Sequence, residues 1–266
     1  MASVEKFGER SNSNQLRHIL RQVRYPANAD IDSSRTHLNY SLSPDRDMAP
    51  ADYLQKRLSQ LHCMEREDVR TMCGWVITKP KDLPESEERR FFRLCYDFLA
   101  QRYGERNVVA AEVHKDESGE AHLHFYFVPV AQYTPSQHMV NVVRYFEEHP
   151  HEANISKVAR ELGTSRKTVL RYRNKTASDI PDGKVCAYEV LNRKELLSFH
   201  GDLKLWLLQN GLDANVNSGI TVEQGGNRTV AELKQEREQQ REQQHTTTHE
   251  HESVSYTHLR AHETPE

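Results

Sequence analysis

Three histidines, His114, His122 and His124, fall within one short stretch of the 266-residue chain, VHKDESGEAHLHFYF. Side chains on a strand alternate between faces, so His122 and His124 point one way while Leu123 and Phe125 point into a core. His114 ends the preceding strand, and the polar turn KDESGE brings it back alongside the pair. Three imidazoles can then converge on one divalent ion, with positions left open for water and phosphate. Asp116 and Glu117, in the turn, are placed to orient the imidazoles or to add a ligand. Such an open site polarises a phosphoryl oxygen and neutralises charge in the transition state. The plainer alternative is a set of surface histidines on an exposed hairpin. An HxH step, a third histidine on the adjoining strand and two acidic neighbours favour the metal.

Attack on a phosphodiester also needs a nucleophile, either water or a side chain. His18 and Arg21 lie one helical turn apart and share a face. Arginine there could hold a phosphate with its fork of donors while the imidazole attacks. Tyr25 and Tyr40 compete for the role, because phenol oxygens also form phosphodiester links. The run SRTHLNYSL contributes Arg35, His37, Asn39 and Tyr40, polar groups suited to a DNA backbone. Its plainer reading is a loop that packs Leu38 and Tyr40.

The elements that must position these groups follow from hydrophobic spacing. Residues 2–7 suit a strand, and Leu16, Ile19, Leu20 and Val23 predict a helix over 14–24. A helix over 50–62, a buried strand at 72–78 and an amphipathic helix over 85–103, closed by Gly104, come next. Strands at 107–114 and 121–128 complete the middle of a ferredoxin-like or split βαβ arrangement. A last helix is expected over 192–209.

Between them, ISKVARELGTSRKTVLRYRNK (155–175) has helix-turn-helix grammar. Val158, Ala159 and Leu162 are at helical spacing, Gly163 makes the turn, and Ser165 caps a second helix. That helix would expose Arg166, Lys167, Arg171 and Arg173, the donors that duplex DNA requires. A small helical insertion with a solvated basic face is the alternative.

Composition bounds the rest. Net charge is −3, from 36 basic and 39 acidic residues, so any nucleic-acid affinity must come from local clusters. No apolar run reaches membrane-span length and the N-terminus lacks a signal-peptide core, so a soluble cytoplasmic protein with no membrane partner is expected. The four cysteines form no CxxC pair and read as reduced thiols. The expected organisation is a main domain of 1–133 and 184–228, an insert of 134–183, and a polar tail of 229–252. That tail reads as disordered or as the start of a coiled coil through which a homodimer would form. Residues 253–266 read as a non-native or disordered end.

Taken together, His18-Ile-Leu-Arg21, SRTHLNYSL, CGWVIT, the run from FFRLCYDFLAQRYG into VHKDESGEAHLHFYFVP, LNRKELLSFHGDL and RTVAELK resemble plasmid mobilisation and recombination relaxases of the Mob/Pre type. The resemblance covers about 1–130 and 185–235. It implies an α+β, HUH-like fold: an antiparallel sheet flanked by helices, here with an inserted helix-turn-helix-like segment. It further implies Mn2+ or Mg2+, recognition of single-stranded transfer-origin DNA (with flanking duplex), strand-specific nicking, and a covalent link to the 5′ phosphate. By position, His114, His122 and His124 would be ligands, Glu117 an accessory acid, His18 the nucleophile giving a phosphoramidate, and Arg21 its phosphate-binding neighbour. The family's hairpin usually reads DExTPHxH, whereas DESGEAHLH is one residue longer and lacks the proline. A rolling-circle replication initiator with a tyrosine nucleophile and a non-enzymatic helix-turn-helix regulator are the competing functions.

Overall fold

The computed structural model describes residues 2–23 and 30–216. Tyr25, the RTVAELK segment, the polar tail of 229–252 and the end at 253–266 lie outside the described residues, as does any homodimer contact through that tail. In chain order the elements are β1 (Ala2–Gly8), α1 (Glu9–Ile19), β2 (Tyr40–Ser41), α2 (Pro50–Ser59), β3 (Arg70–Thr78), α3 (Glu88–Tyr103), β4 (Val108–His114) and β5 (His122–Phe127). There follow β6 (Val130–Ala131), α4 (Gln137–Glu148), α5 (Ile155–Glu161), α6 (Arg166–Tyr172), β7 (Lys184–Val185), α7 (Ala187–Val190) and α8 (Arg193–Gln209). A 3-10 turn at Ser33–Leu38 precedes β2.

Five strands form one sheet in the order β1-β3-β5-β4-β2, with every neighbouring pair antiparallel. The expected antiparallel sheet flanked by helices is present. One face is covered by α3 and α8 over a core that includes Phe91, Phe92, Phe125, Phe127 and Phe199. The other carries a smaller core beneath α1 and α2. There Leu16 and Ile19 of α1 and Leu54 of α2 pack on Phe7, Met72, Val109 and Tyr126. The histidine end of that face lies beyond this smaller core.

Both boundaries of α1 differ from the sequence expectation. Helix α1 begins at Glu9, because Asn12 on its inner face is buried and its amide donates to Thr71 Oγ1 at 2.7 Å. A polar residue on the inner face hides the first turn from hydrophobic spacing. The helix also stops at Ile19, several residues early, because Arg21 adopts φ +53°. No helix among the described residues is long and apolar enough to cross a membrane.

Strand β3 carries the only glycine of its span opposite the large Tyr126 ring. A Cβ at Gly74 would sit 2.4 Å from the Tyr126 ring and 3.0 Å from Phe7. We therefore expect Gly74→Ala to destabilise the fold by about 1–3 kcal/mol through overpacking, read by urea unfolding. An unchanged midpoint would show that Tyr126 can swing aside.

Candidate functional site

Register places the three histidines. His114 pairs directly with His122 across β4 and β5, and His124 pairs with Glu112 one step further in. The longer turn is absorbed between His114 and His122, where Gly119 takes φ +117°, a conformation L side chains rarely adopt. Lysines clasp the flanks of the hairpin. Lys115 Nζ meets Glu88 at 2.8 Å, and buried Lys79 lies 3.3 Å from Glu85 and 3.5 Å from Glu120.

The imidazoles form a tight triangle. Ring centroids are 4.6 Å apart for His114–His124, 4.9 Å for His122–His124 and 5.6 Å for His114–His122. One ligand atom from each of His114, Glu117, His122 and His124 lies within 4.8 Å of all the others. Glu117 reaches both neighbours, Oε1 to His114 Nδ1 at 3.7 Å and Oε2 to His122 Nε2 at 3.8 Å. His114 Nε2 lies 2.8 Å from the Ile19 carbonyl, and His122 Nδ1 lies 3.3 Å from that of Glu120. A carbonyl can only accept, so each ring donates there; the His122 ring turns its other nitrogen's lone pair to the centre, and that of His114 faces Arg21 Nη2 at 3.0 Å.

His124 is the telling member. Both of its ring nitrogens are buried without a hydrogen-bond partner. Burial, then the nearby His114 and His122, push its pKa well below the ordinary histidine value. Burial likewise lowers His122. A neutral imidazole with a buried, unanswered lone pair is costly unless a cation or a proton donor occupies the centre. The residues present fit a divalent metal, with three nitrogens and one carboxylate.

Helix α1 meets this centre through its end. The N–H of Gln22 bonds the Arg17 carbonyl at 2.9 Å and the N–H of Arg21 bonds that of His18 at 3.1 Å. This is a Schellman closure, with Arg21 at the left-handed position that glycine usually holds. Its side chain explains the exception. Arg21 Nε and Nη2 grip Asp116 at 3.0 and 2.7 Å, Nη2 also meets Glu117 at 2.7 Å and His114 Nδ1 at 3.0 Å, and Nη1 donates to the His18 carbonyl at 3.2 Å. The phosphate fork expected of Arg21 is thus engaged inside the protein, on Asp116, Glu117, His114 and the His18 carbonyl. Asp116, fully buried, is held down to about 2 despite its burial, by Arg21 and other side-chain donors. Glu117 is pushed lower still by His114 and Arg21.

His18, half-buried in the last turn of α1, lies within the field of Arg21, Glu117, His114 and Asp116. Burial first and Arg21 second lower its pKa, which keeps the imidazole neutral at pH 7. Tyr40 lies elsewhere. It pairs with Val113, on the opposite sheet face, and packs on the larger core with Arg89 over its ring at 4.4 Å. Its hydroxyl is buried and unpartnered, and burial raises it to about 12. Tyr40 is therefore neither a nucleophile at this centre nor a surface DNA contact.

The other residues of SRTHLNYSL divide. Arg35 and His37 are exposed on the 3-10 turn, with the His37 ring donating to the Ser34 carbonyl at 2.8 Å. Asn39 turns inward, accepting from the Lys115 N–H at 2.7 Å, so the expected DNA contact there is corrected to a structural one. Sequence reasoning missed Thr36, which donates to Asp116 Oδ2 at 2.9 Å and docks the turn on the hairpin. A threonine in a polar loop carries no spacing signal, and only the fold brings it to Asp116. Arg166, Lys167, Arg171 and Arg173 are exposed on or just after α6.

Comparisons with known proteins identify the family and the fold. The profile of the family described as plasmid recombination enzyme (Mob_Pre) matches residues 1–253. The plasmid recombination enzyme of Streptococcus agalactiae is 29% identical over 199 residues, 66% of this chain and 39% of that protein. The one from Lactiplantibacillus plantarum is 35% identical over 120 residues, 42% of this chain and 33% of that protein. The chain therefore spans less than half the length of these curated relatives. Among solved structures, the manganese-bound MobM relaxase domain with plasmid pMV158 oriT DNA (22 nucleotides plus a 3′ thiophosphate, pH 6.8) superposes with a TM-score of 0.59 at 24% identity, over 88% of this chain and 97% of that one. The same domain with 22-nucleotide DNA at pH 5.5 gives 0.58 at 24% identity, with 88% and 97% covered. At such identities the likeness is one of fold.

The Arg21 geometry generates a paired test. Arg21→Ala should cost roughly 3–5 kcal/mol, because it leaves Asp116 buried and unpaired. Arg21→Gly should be about 0.5–1 kcal/mol less damaging, since glycine accepts the left-handed backbone freely. Urea unfolding of both variants reads the difference, and equal losses would mean that the backbone at 21 is unstrained.

Proposed function

This chain belongs to the plasmid recombination enzyme family, and from that premise we propose that it nicks one strand of DNA at a plasmid transfer origin by metal-dependent transesterification. The reaction would serve plasmid mobilisation or recombination in the cytoplasm. The observation that carries the reading is His124, whose two buried, unanswered nitrogens complete a donor set beside a neutral His18.

His114, His122, His124 and Glu117 would hold Mn2+ or Mg2+, which when bound supplies positive charge to the scissile phosphoryl group. Three nitrogen donors suit manganese better than magnesium, which prefers an all-oxygen shell. His18 is the proposed nucleophile. A ring nitrogen of its neutral imidazole attacks phosphorus, an N–P bond forms, and the P–O3′ bond breaks. The ring releases its N–H proton and the departing 3′ oxygen gains one, so protons balance. The 5′ phosphate remains on His18 as a phosphoramidate, whose retained energy permits rejoining. Arg21 fixes the end of α1 against Asp116 and Glu117 and so sets where His18 stands. Exposed Arg35 and His37 supply donors for the DNA backbone.

A replication initiator with a tyrosine nucleophile is disfavoured at Tyr40 by its place across the sheet. Incubating the protein with Mn2+ and its own plasmid, supercoiled or as single-stranded origin, should give a nick and a covalent protein–DNA adduct. His18→Ala should lower adduct formation roughly a thousandfold or more, while Tyr40→Phe and Tyr25→Phe retain it. An adduct that survives in His18→Ala and vanishes in a tyrosine variant would overturn the assignment. A wild-type protein that binds DNA but never cuts it would overturn the enzyme reading in favour of a regulator.

A further inference from the structure

Helices α4, α5 and α6 form a small body with a core of its own. Val142, Val158, Ala159 and Val169 are buried there, ringed by Tyr145, Phe146, Ile155 and Tyr172. The chain enters from β6 and leaves into β7, and those strands pair, Val130 with Val185 and Ala131 with Lys184. A short ladder thus closes the base of the segment. Gly163, at φ +60°, turns α5 into α6, and Ser165 caps α6 by accepting from the Thr168 N–H at 3.1 Å.

Charge on this body is sorted. Arg166, Lys167, Arg171, Arg173 and Lys175 are exposed along and just beyond α6, and α6 carries no acidic residue. Arg166, Lys167 and Arg171 make no ion pair among the described residues. Three nearby carboxylates are engaged elsewhere. Glu161 accepts from the Tyr145 hydroxyl at 2.9 Å, Glu152 pairs with Lys157 at 2.7 Å, and Glu147 accepts from the Ala177 N–H at 2.7 Å. In the middle of the basic face stands Leu170, 53% exposed, at helical spacing from Arg166, Lys167 and Asn174. Beside it a cleft lined by Ser136, His138, Lys167, Thr168 and Arg171 gathers donors suited to one phosphate.

We propose that this body is a duplex-DNA-binding unit that seats α6 in the major groove, separate from the proposed single-strand nicking site. The unpaired guanidinium and ammonium groups fit phosphates and guanine edges, and the exposed leucine fits a thymine methyl. An exposed apolar side chain flanked by unpaired cations suits a groove that presents both methyls and charge.

The test is fluorescence anisotropy with a labelled short mixed-sequence duplex, in EDTA so that the metal centre is silent. The wild-type chain should bind with an affinity that falls steeply with salt. The variant Arg166→Ala/Lys167→Ala/Arg171→Ala should bind roughly tenfold or more weakly at moderate salt, with the log–log salt slope shallower by about 2–3. All three residues are exposed, so circular dichroism and the thermal midpoint should not change. His18→Ala should bind the duplex like wild type, which separates this unit from the nicking reading. Failure of the wild type to bind the duplex overturns the proposal. So does a triple variant that matches it in affinity and slope.

Discussion

Three imidazoles and a carboxylate crowded at one end of a sheet set the terms for everything around them. Burial first, and the neighbouring imidazoles with it, lower the pKa of His122 and His124 and favour their neutral forms. The Ile19 and Glu120 carbonyls take one nitrogen of His114 and of His122, but His124 receives nothing. A fold that keeps this arrangement bears a desolvation cost that a bound cation would offset.

The scaffold can be read as the means of holding that centre together. The sheet face bearing the histidines is packed by α1 and α2 over Phe7, Met72 and Tyr126. The end of α1 is then tied to the hairpin by the buried Arg21–Asp116 pair, with Thr36 and the Asp32 N–H (2.7 Å to the Asp116 carbonyl) closing from the 3-10 turn. Asp116 thus joins three segments distant in sequence. Its buried charge requires Arg21, Arg21 adopts the left-handed backbone, and that bend ends α1 just past His18. A strained residue beside a reactive one is what functional sites commonly show.

How much of this was legible varies with the kind of signal. Period-two alternation exposed the histidine pair, because His122 and His124 share a face regardless of context. Helical spacing and cap residues exposed α5 and α6. Tyr40 escaped, because a two-residue strand has too little pattern to fix a face, and its partner Val113 decides it. Arg21 was found but misread, since its fork looks free until Asp116 folds beneath it. Asn39 failed for the same reason, its acceptor consumed by the Lys115 N–H. Groups satisfied by distant backbone leave no trace in local sequence.

The proposed nicking centre and the proposed duplex unit divide one task, the first acting on a single strand and the second holding neighbouring duplex. The first depends on its being a metal site at all. Calorimetric titration of the metal-free protein with Mn2+ tests this most directly. The account predicts one ion bound per chain, with the binding heat lost in His122→Ala/His124→Ala while circular dichroism stays that of a folded chain. A wild-type protein that binds no ion, or a double variant that still binds one as tightly, would contradict it.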